Sequence, residues 1–261
     1  MDLGLGGRRA IITGASRGIG AATALAFANE GARVALIGRD EAALRAVAAT
    51  AGDGAVISVA DLSTADGVDR AIGECVQGLG GVDILVNNAG ASPNGTIDDI
   101  TDEQWQASFD LKVMGYVRSM RAVLPHMRSQ HFGRIVNVGG TAGIRATPGY
   151  VLASLNAALV HVTRSTAEHV GKDGINVVSL HPGPTMTDRL RTMLARGADA
   201  AGVGVDEFAA TRIAPELPLG RVGTPEEVAR MIVVLASDVA GWVTGGGVTI
   251  DGGAARGVVG G

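Results

Sequence analysis

The residues best placed to do chemistry begin with the turn Thr13-Gly14-Ala15-Ser16-Arg17-Gly18-Ile19-Gly20. It follows a short apolar run and leads into helix-forming residues 21–29. Glycines at 14, 18 and 20 permit a tight turn, close approach of backbone to a pyrophosphate, and tight helix packing, with the helix N-terminus facing the phosphates. A second apolar run ends Ile37-Gly38-Arg39. A carboxylate there would bind ribose hydroxyls, whereas a guanidinium accepts a 2′-phosphate. Arg39, together with Arg17 inside the turn, therefore favours NADP(H) over NAD(H). Asp40, directly before a helical stretch, reads as an N-cap.

The elements that must position this turn follow one rhythm. Short β-branched or apolar runs at 10–12, 33–37, 55–59, 84–86, 134–138, 175–180 and 248–250 alternate with longer Ala-rich amphipathic stretches. Alternation of this kind predicts a doubly wound α/β fold, a Rossmann-type parallel sheet with helices on both faces, in one domain spanning 1–261. Right-handed crossovers bring the strand C-termini to one edge, where ligands bind. Residues 104–128 predict one long helix with Pro125 near its end. Residues 187–219 contain Gly197, Gly202 and Gly204 and interrupt the rhythm, so they are expected to form an irregular lid over substrate, while 254–261 reads as a flexible tail.

Composition narrows the function further. The 22 basic and 26 acidic residues give a net charge of −4 without a basic cluster, which argues against a nucleic-acid partner. No run approaches the ~20 apolar residues of a membrane helix. The opening MDLGLGGRR lacks the apolar core of a signal peptide, and this points to the cytoplasm. The single cysteine, Cys75, has no disulfide partner and sits in a helical pattern as a small core residue. No metal site is expected.

The glycine spacing resembles the short-chain dehydrogenase/reductase family, and further motifs extend the resemblance over roughly residues 5–253. Asn87-Asn88-Ala89-Gly90 is similar to the family motif after the fourth strand, and Asp61-Leu62 to its pair at the adenine ring. His181-Pro182-Gly183-Pro184-Thr185-Met186-Thr187 resembles the turn that holds the nicotinamide carboxamide, and Thr244-Gly245 through Asp251-Gly252-Gly253 the C-terminal signature. The resemblance implies cofactor contacts from Gly14, Ser16, Arg17, Gly18, Ile19, Gly20, Arg39, Asp61, Leu62, Asn88, Ala89, Gly90, Asn156, Pro182, Gly183, Thr185 and Thr187. It also implies a homotetramer or homodimer.

The same resemblance locates the positions where the family keeps its catalytic asparagine, serine, tyrosine and lysine. Counting from Asn156-Ala157-Ala158-Leu159 puts the lysine position at Asn156 and the tyrosine position at Leu152. The serine position falls in Val138-Gly139-Gly140, and the asparagine position is Lys112. An amide at 156 can hydrogen-bond the nicotinamide ribose but brings no charge. Lys112 can restore that charge from the opposite wall, with a pKa lowered beside the cationic ring of NADP⁺, and is a candidate acid or base. A lysine stem packed against the wall with its head in solvent is the bland alternative. Tyr150 is a candidate displaced phenol, against a packing role at the helix start. His181 reads first as a core histidine, and Thr141 offers a hydroxyl near the serine position.

These residues imply an NADP(H)-dependent oxidoreductase with a rearranged acid-base set, reducing a carbonyl or activated C=C bond of a small apolar substrate. Two other readings stand beside it, because fold does not fix chemistry. One is a non-redox isomerase, lyase or dehydratase. The other is a catalytically inactive NADP-binding subunit.

Overall fold

A computed structural model describes residues 1–146 and 149–255. Seven strands form one wholly parallel sheet in the order β3-β2-β1-β4-β5-β6-β7. They are β1 (Arg9–Thr13), β2 (Arg33–Gly38), β3 (Val56–Val59), β4 (Ile84–Asn87), β5 (Gly133–Val138), β6 (Ile175–Pro182) and β7 (Gly247–Ile250). The central strands are buried throughout, as a sheet covered on both faces requires. One core layer joins Ile12, Leu36, Val86 and Val178 to Phe27 of α1 (Gly18–Asn29) and Ile232 of α9 (Pro225–Ala236). The opposite layer joins Ile11, Leu85 and Val177 to Ile72 of α3 (Ala65–Leu79) and Val123 of α5 (Gly115–Ser129). Cys75 lies in this second layer. Burial pushes its thiol pKa up to about 12, so it is an inert core residue.

Strand order reverses between β1 and β4, and the crevice at their C-terminal ends is the switch point of the sheet. Asp40 caps α2 (Glu41–Ala51), accepting a bond from the Ala43 N–H at 3.0 Å.

Two stretches differ from the sequence expectation. The long helix expected over 104–128 is α4 (Asp102–Phe109), a wider π-helical turn over Asp110–Met114, then α5. Lys112 sits in that turn, and Pro125 is accommodated within α5. The 187–219 segment is largely helical, not irregular, with α7 (Asp188–Ala201), α8 (Val205–Phe208) and another π-helical turn at Ala209–Ile213. Two of its glycines have particular uses. Gly202 ends α7 with φ +70°, and Gly197 lies inside α7 where a Cβ would come within 2.8 Å of the Phe208 ring. Of the tail, 256–261 lies outside the described residues.

Candidate active site

The strand ends, α1 and α7 surround a cleft of about 1320 Å³. One end is built by the glycine turn. Gly14 and Gly18 take φ of +65° and +56°, in the left-handed region that glycine enters without strain. A Cβ at Gly20 would strike the Gly14 carbonyl oxygen, and one at Gly14 would lie 2.9 Å from the Ala89 Cα. The helix that follows has no side-chain cap and no acidic residue in its first turn, so its amides and dipole face the cleft. Asn88 fixes this corner: its side-chain amide donates to the carbonyls of Thr13 (3.1 Å) and Gly14 (3.2 Å). The Thr13 hydroxyl in turn accepts from the N–H groups of Asn88 and Ala89. Gly20 lies buried beneath the turn, whereas Gly14, Ser16, Arg17, Gly18 and Ile19 line the cleft.

Arg17 and Arg39 both line the cleft at this end. Neither is in an ion pair with another described residue, and both remain available to an anion. Asp61 and Leu62 line the adjoining wall. The Asp61 carboxyl is held below the usual carboxylate range by the N–H and hydroxyl of Ser63.

The other end is walled by Gly90, Lys112, Gly139, Gly140, Thr141, Tyr150, Asn156 and the Pro182-Gly183 turn, with Thr185 and Thr187 beyond it. Thr187 caps α7 by accepting from the Leu190 N–H, and Thr185 donates to the Gly183 carbonyl at 3.0 Å. Lys112 Nζ donates to the Val138 carbonyl at 3.3 Å, and the buried Tyr116 hydroxyl donates to the same oxygen at 2.9 Å. A Cβ at Gly90 would stand 3.3 Å from Lys112 Nζ, so the glycine leaves room for the lysine. Burial, and then the charge of Arg189, lowers the Lys112 pKa to about 8.

Asn156 is 5 % exposed, and its Oδ1 has no hydrogen-bond partner among the described residues. Asn156 borders the cleft, and a buried amide oxygen without a partner calls for a donor. Leu152, four residues earlier, packs with Ile100, Val113 and Leu155 and not into the cleft. His181 is a core residue: Nε2 pairs with the Ser179 hydroxyl at 2.9 Å, and burial, then the charge of Lys112, drives its pKa down to about 4. It is neutral near pH 7. The glycines at 139 and 140 have steric reasons. A Cβ at 139 would lie 2.7 Å from His181 Nδ1, and one at 140 would lie 3.1 Å from Asn156 Nδ2.

Tyr150 is tied down on the far wall. Its hydroxyl accepts a bond from Arg189 Nη2 at 2.9 Å, and the same nitrogen donates to the Ser92 carbonyl at 3.0 Å. Sequence reasoning overlooked Arg189 and Tyr116. The one lies in a segment read as irregular, and the other falls in no recognised motif.

Residues 14–255 match the family described as "Enoyl-(Acyl carrier protein) reductase". The chain is 37% identical to "Uncharacterized oxidoreductase YvrD" of Bacillus subtilis, over 98% of this chain and 99% of the relative. It is 33% identical to acetoacetyl-CoA reductase of Shinella zoogloeoides, over 94% and 98% respectively. The solved structure of L-sorbose reductase from Gluconobacter frateurii, complexed with NADPH and L-sorbose, superposes with a TM-score of 0.94 at 32% identity, covering 99% of this chain and all of that one. The chain belongs to the short-chain dehydrogenase/reductase family. As a member it is an oxidoreductase. Its sheet is the Rossmann-type sheet that the alternation predicted, and its cleft occupies the switch point. No helix among the described residues is long and apolar enough to cross a membrane.

Proposed function

We propose that this short-chain dehydrogenase/reductase is an NADP(H)-dependent reductase of a carbonyl or activated C=C bond, with Lys112 as the proton donor. Lys112 carries the reading: an ammonium with a pKa of about 8, directed into the cleft beside the Pro182-Gly183 turn. Arg17 and Arg39 are assigned to the 2′-phosphate, the α1 N-terminus to the pyrophosphate, Asp61 and Leu62 to the adenine wall, and the Asn156 amide to a ribose hydroxyl. The relative solved with NADPH supports this choice of nucleotide. NADPH held there would supply the hydride that adds to the substrate carbon, being oxidised to NADP⁺. Lys112 gives its proton to the oxygen that gains the electron pair, or to the enolate when the hydride enters a conjugated C=C bond. The Val138 carbonyl holds the Lys112 ammonium in place, and Tyr116 keeps that carbonyl paired once the lysine turns to substrate. Tyr150 is assigned to substrate binding. Leu152, packed into its apolar cluster, takes no part.

NADPH consumption measured at 340 nm against a panel of ketones and enones tests the reading. Lys112→Met should lower kcat by at least ~100-fold, the scale of general acid catalysis. Undiminished turnover would remove the lysine from the mechanism.

We read the chain as one catalytic domain acting in the cytoplasm as a homo-oligomer, with α7 and the residues after it as the substrate lid. The fully exposed Trp242 beside the half-exposed Val243 supports association. Light scattering of the purified protein gives the oligomeric state directly.

A further inference from the structure

The substrate end of the cleft carries more positive charge than proton transfer needs. We infer that the substrate is an anionic carbonyl compound whose carboxylate is held by Arg189 and Tyr150 while its carbonyl faces Lys112. This deepens the proposed reaction and rests on the placement of Lys112 at the reacting oxygen.

Arg189 and Lys112 line the same cleft. They stand close enough for the arginine to depress the ionisation of the lysine, yet neither has a carboxylate partner among the described residues. Both hydrogen bonds of Arg189 leave from Nη2. Its Nε–H and Nη1 hydrogens remain for an anion and can each meet a carboxylate oxygen singly, because either bidentate edge of a guanidinium includes Nη2. The Tyr150 hydroxyl accepts from Arg189, so its own proton is free to donate to the same anion. Asp188 lines the cleft as well, but it sits at the α7 N-terminus and pairs with neither cation. Two like charges lining one cleft repel each other, and an anion between them relieves the repulsion.

The cofactor pyrophosphate is a poor candidate for this anion. Thr187, at the start of α7, is the residue that meets the phosphate turn, its Cγ2 lying 3.3 Å from where a Gly18 Cβ would stand. Arg189 instead donates to the Ser92 carbonyl and the Tyr150 hydroxyl, neither of which belongs to that turn.

The test uses the full chain with NADPH and pairs of short 2-oxo and 3-oxo carboxylic acids with their methyl esters. The acids should show a kcat/KM at least ~10-fold above their esters. Arg189→Gln should raise KM for the acids by roughly 10–100-fold and erase that preference, while Arg189→Lys should retain part of it. Thermal protection by the corresponding 2-hydroxy and 3-hydroxy acids with NADP⁺ gives a readout independent of turnover, present in the wild type and lost in Arg189→Gln. Protection without turnover would sink the proposed reaction and uphold the carboxylate site. Turnover with esters equal to acids would do the reverse. Loss of NADPH affinity in Arg189→Gln, with acids and esters impaired alike, would assign the arginine to the cofactor and overturn the inference.

Discussion

Replacing Lys112 by methionine should make the folded protein more stable as well as a poorer catalyst. The ammonium is held at a pKa of about 8 where an ordinary lysine has 10.5, chiefly because burial disfavours its charge. At ~1.4 kcal/mol per pKa unit, carrying the proton below pH 8 costs the fold ~3 kcal/mol. Methionine keeps most of the stem's packing and brings no charge. The Val138 carbonyl retains the Tyr116 hydroxyl, so no buried acceptor is orphaned. The expected gain is up to ~3 kcal/mol, or on the order of 5–10 °C in Tm for a chain of this size. Its pH dependence is the sharper signature. Below about pH 8 the lysine is protonated in both the folded and unfolded states, and the advantage of the variant is constant. From there up to 10.5 the unfolded chain holds a proton that the folded chain has released, so wild-type stability rises with pH and the advantage shrinks to nothing. Thermal unfolding of both proteins from about pH 6 to about pH 11 follows this directly. An advantage that is absent, or that stays constant through the alkaline range, would refute the buried-charge account.

Catalysis has its own pH dependence. NADPH-driven reduction should be level on the acid side and fall as pH rises through about 8, where Lys112 loses the proton it must donate; a rate that climbs there would contradict the assignment. Arg39→Glu should weaken NADPH binding by roughly 10–100-fold while sparing NADH, a ratio read by fluorescence titration, and equal loss for both nucleotides would place the arginine elsewhere. Gly139→Ser should destabilise the fold by ~1–3 kcal/mol through its contact with the His181 ring. A second change, His181→Ala, should recover most of that loss in calorimetry, and additive losses would show that the contact is not the cause.

What the sequence revealed was local. The glycine turn, its flanking strand and helix, and the Asp40 cap are decided by neighbours in the chain, and the structure has them where the residues place them. The alternation of strands and helices was equally readable, since burial on both sheet faces leaves continuous apolar runs. The π-helical turn at Asp110–Met114 was not, because a single wide turn leaves the helical hydrophobic pattern almost unchanged. Helix α7 was obscured by reading Gly197 as a breaker, when its purpose is contact with Phe208 from another element. Arg189 escaped notice for the same reason: its meaning comes from Tyr150 and Ser92, which are distant in the chain.

The glycines at 139 and 140 bear on how such a site could be re-engineered or could drift. Each faces a side chain in the space a Cβ would approach, His181 for one and, less tightly, Asn156 for the other. A hydroxyl-bearing residue at 139 meets the His181 ring directly, whereas at 140 it requires only a small shift of the Asn156 amide. A serine at 139 therefore calls for a paired change at His181, and the two positions must be redesigned together.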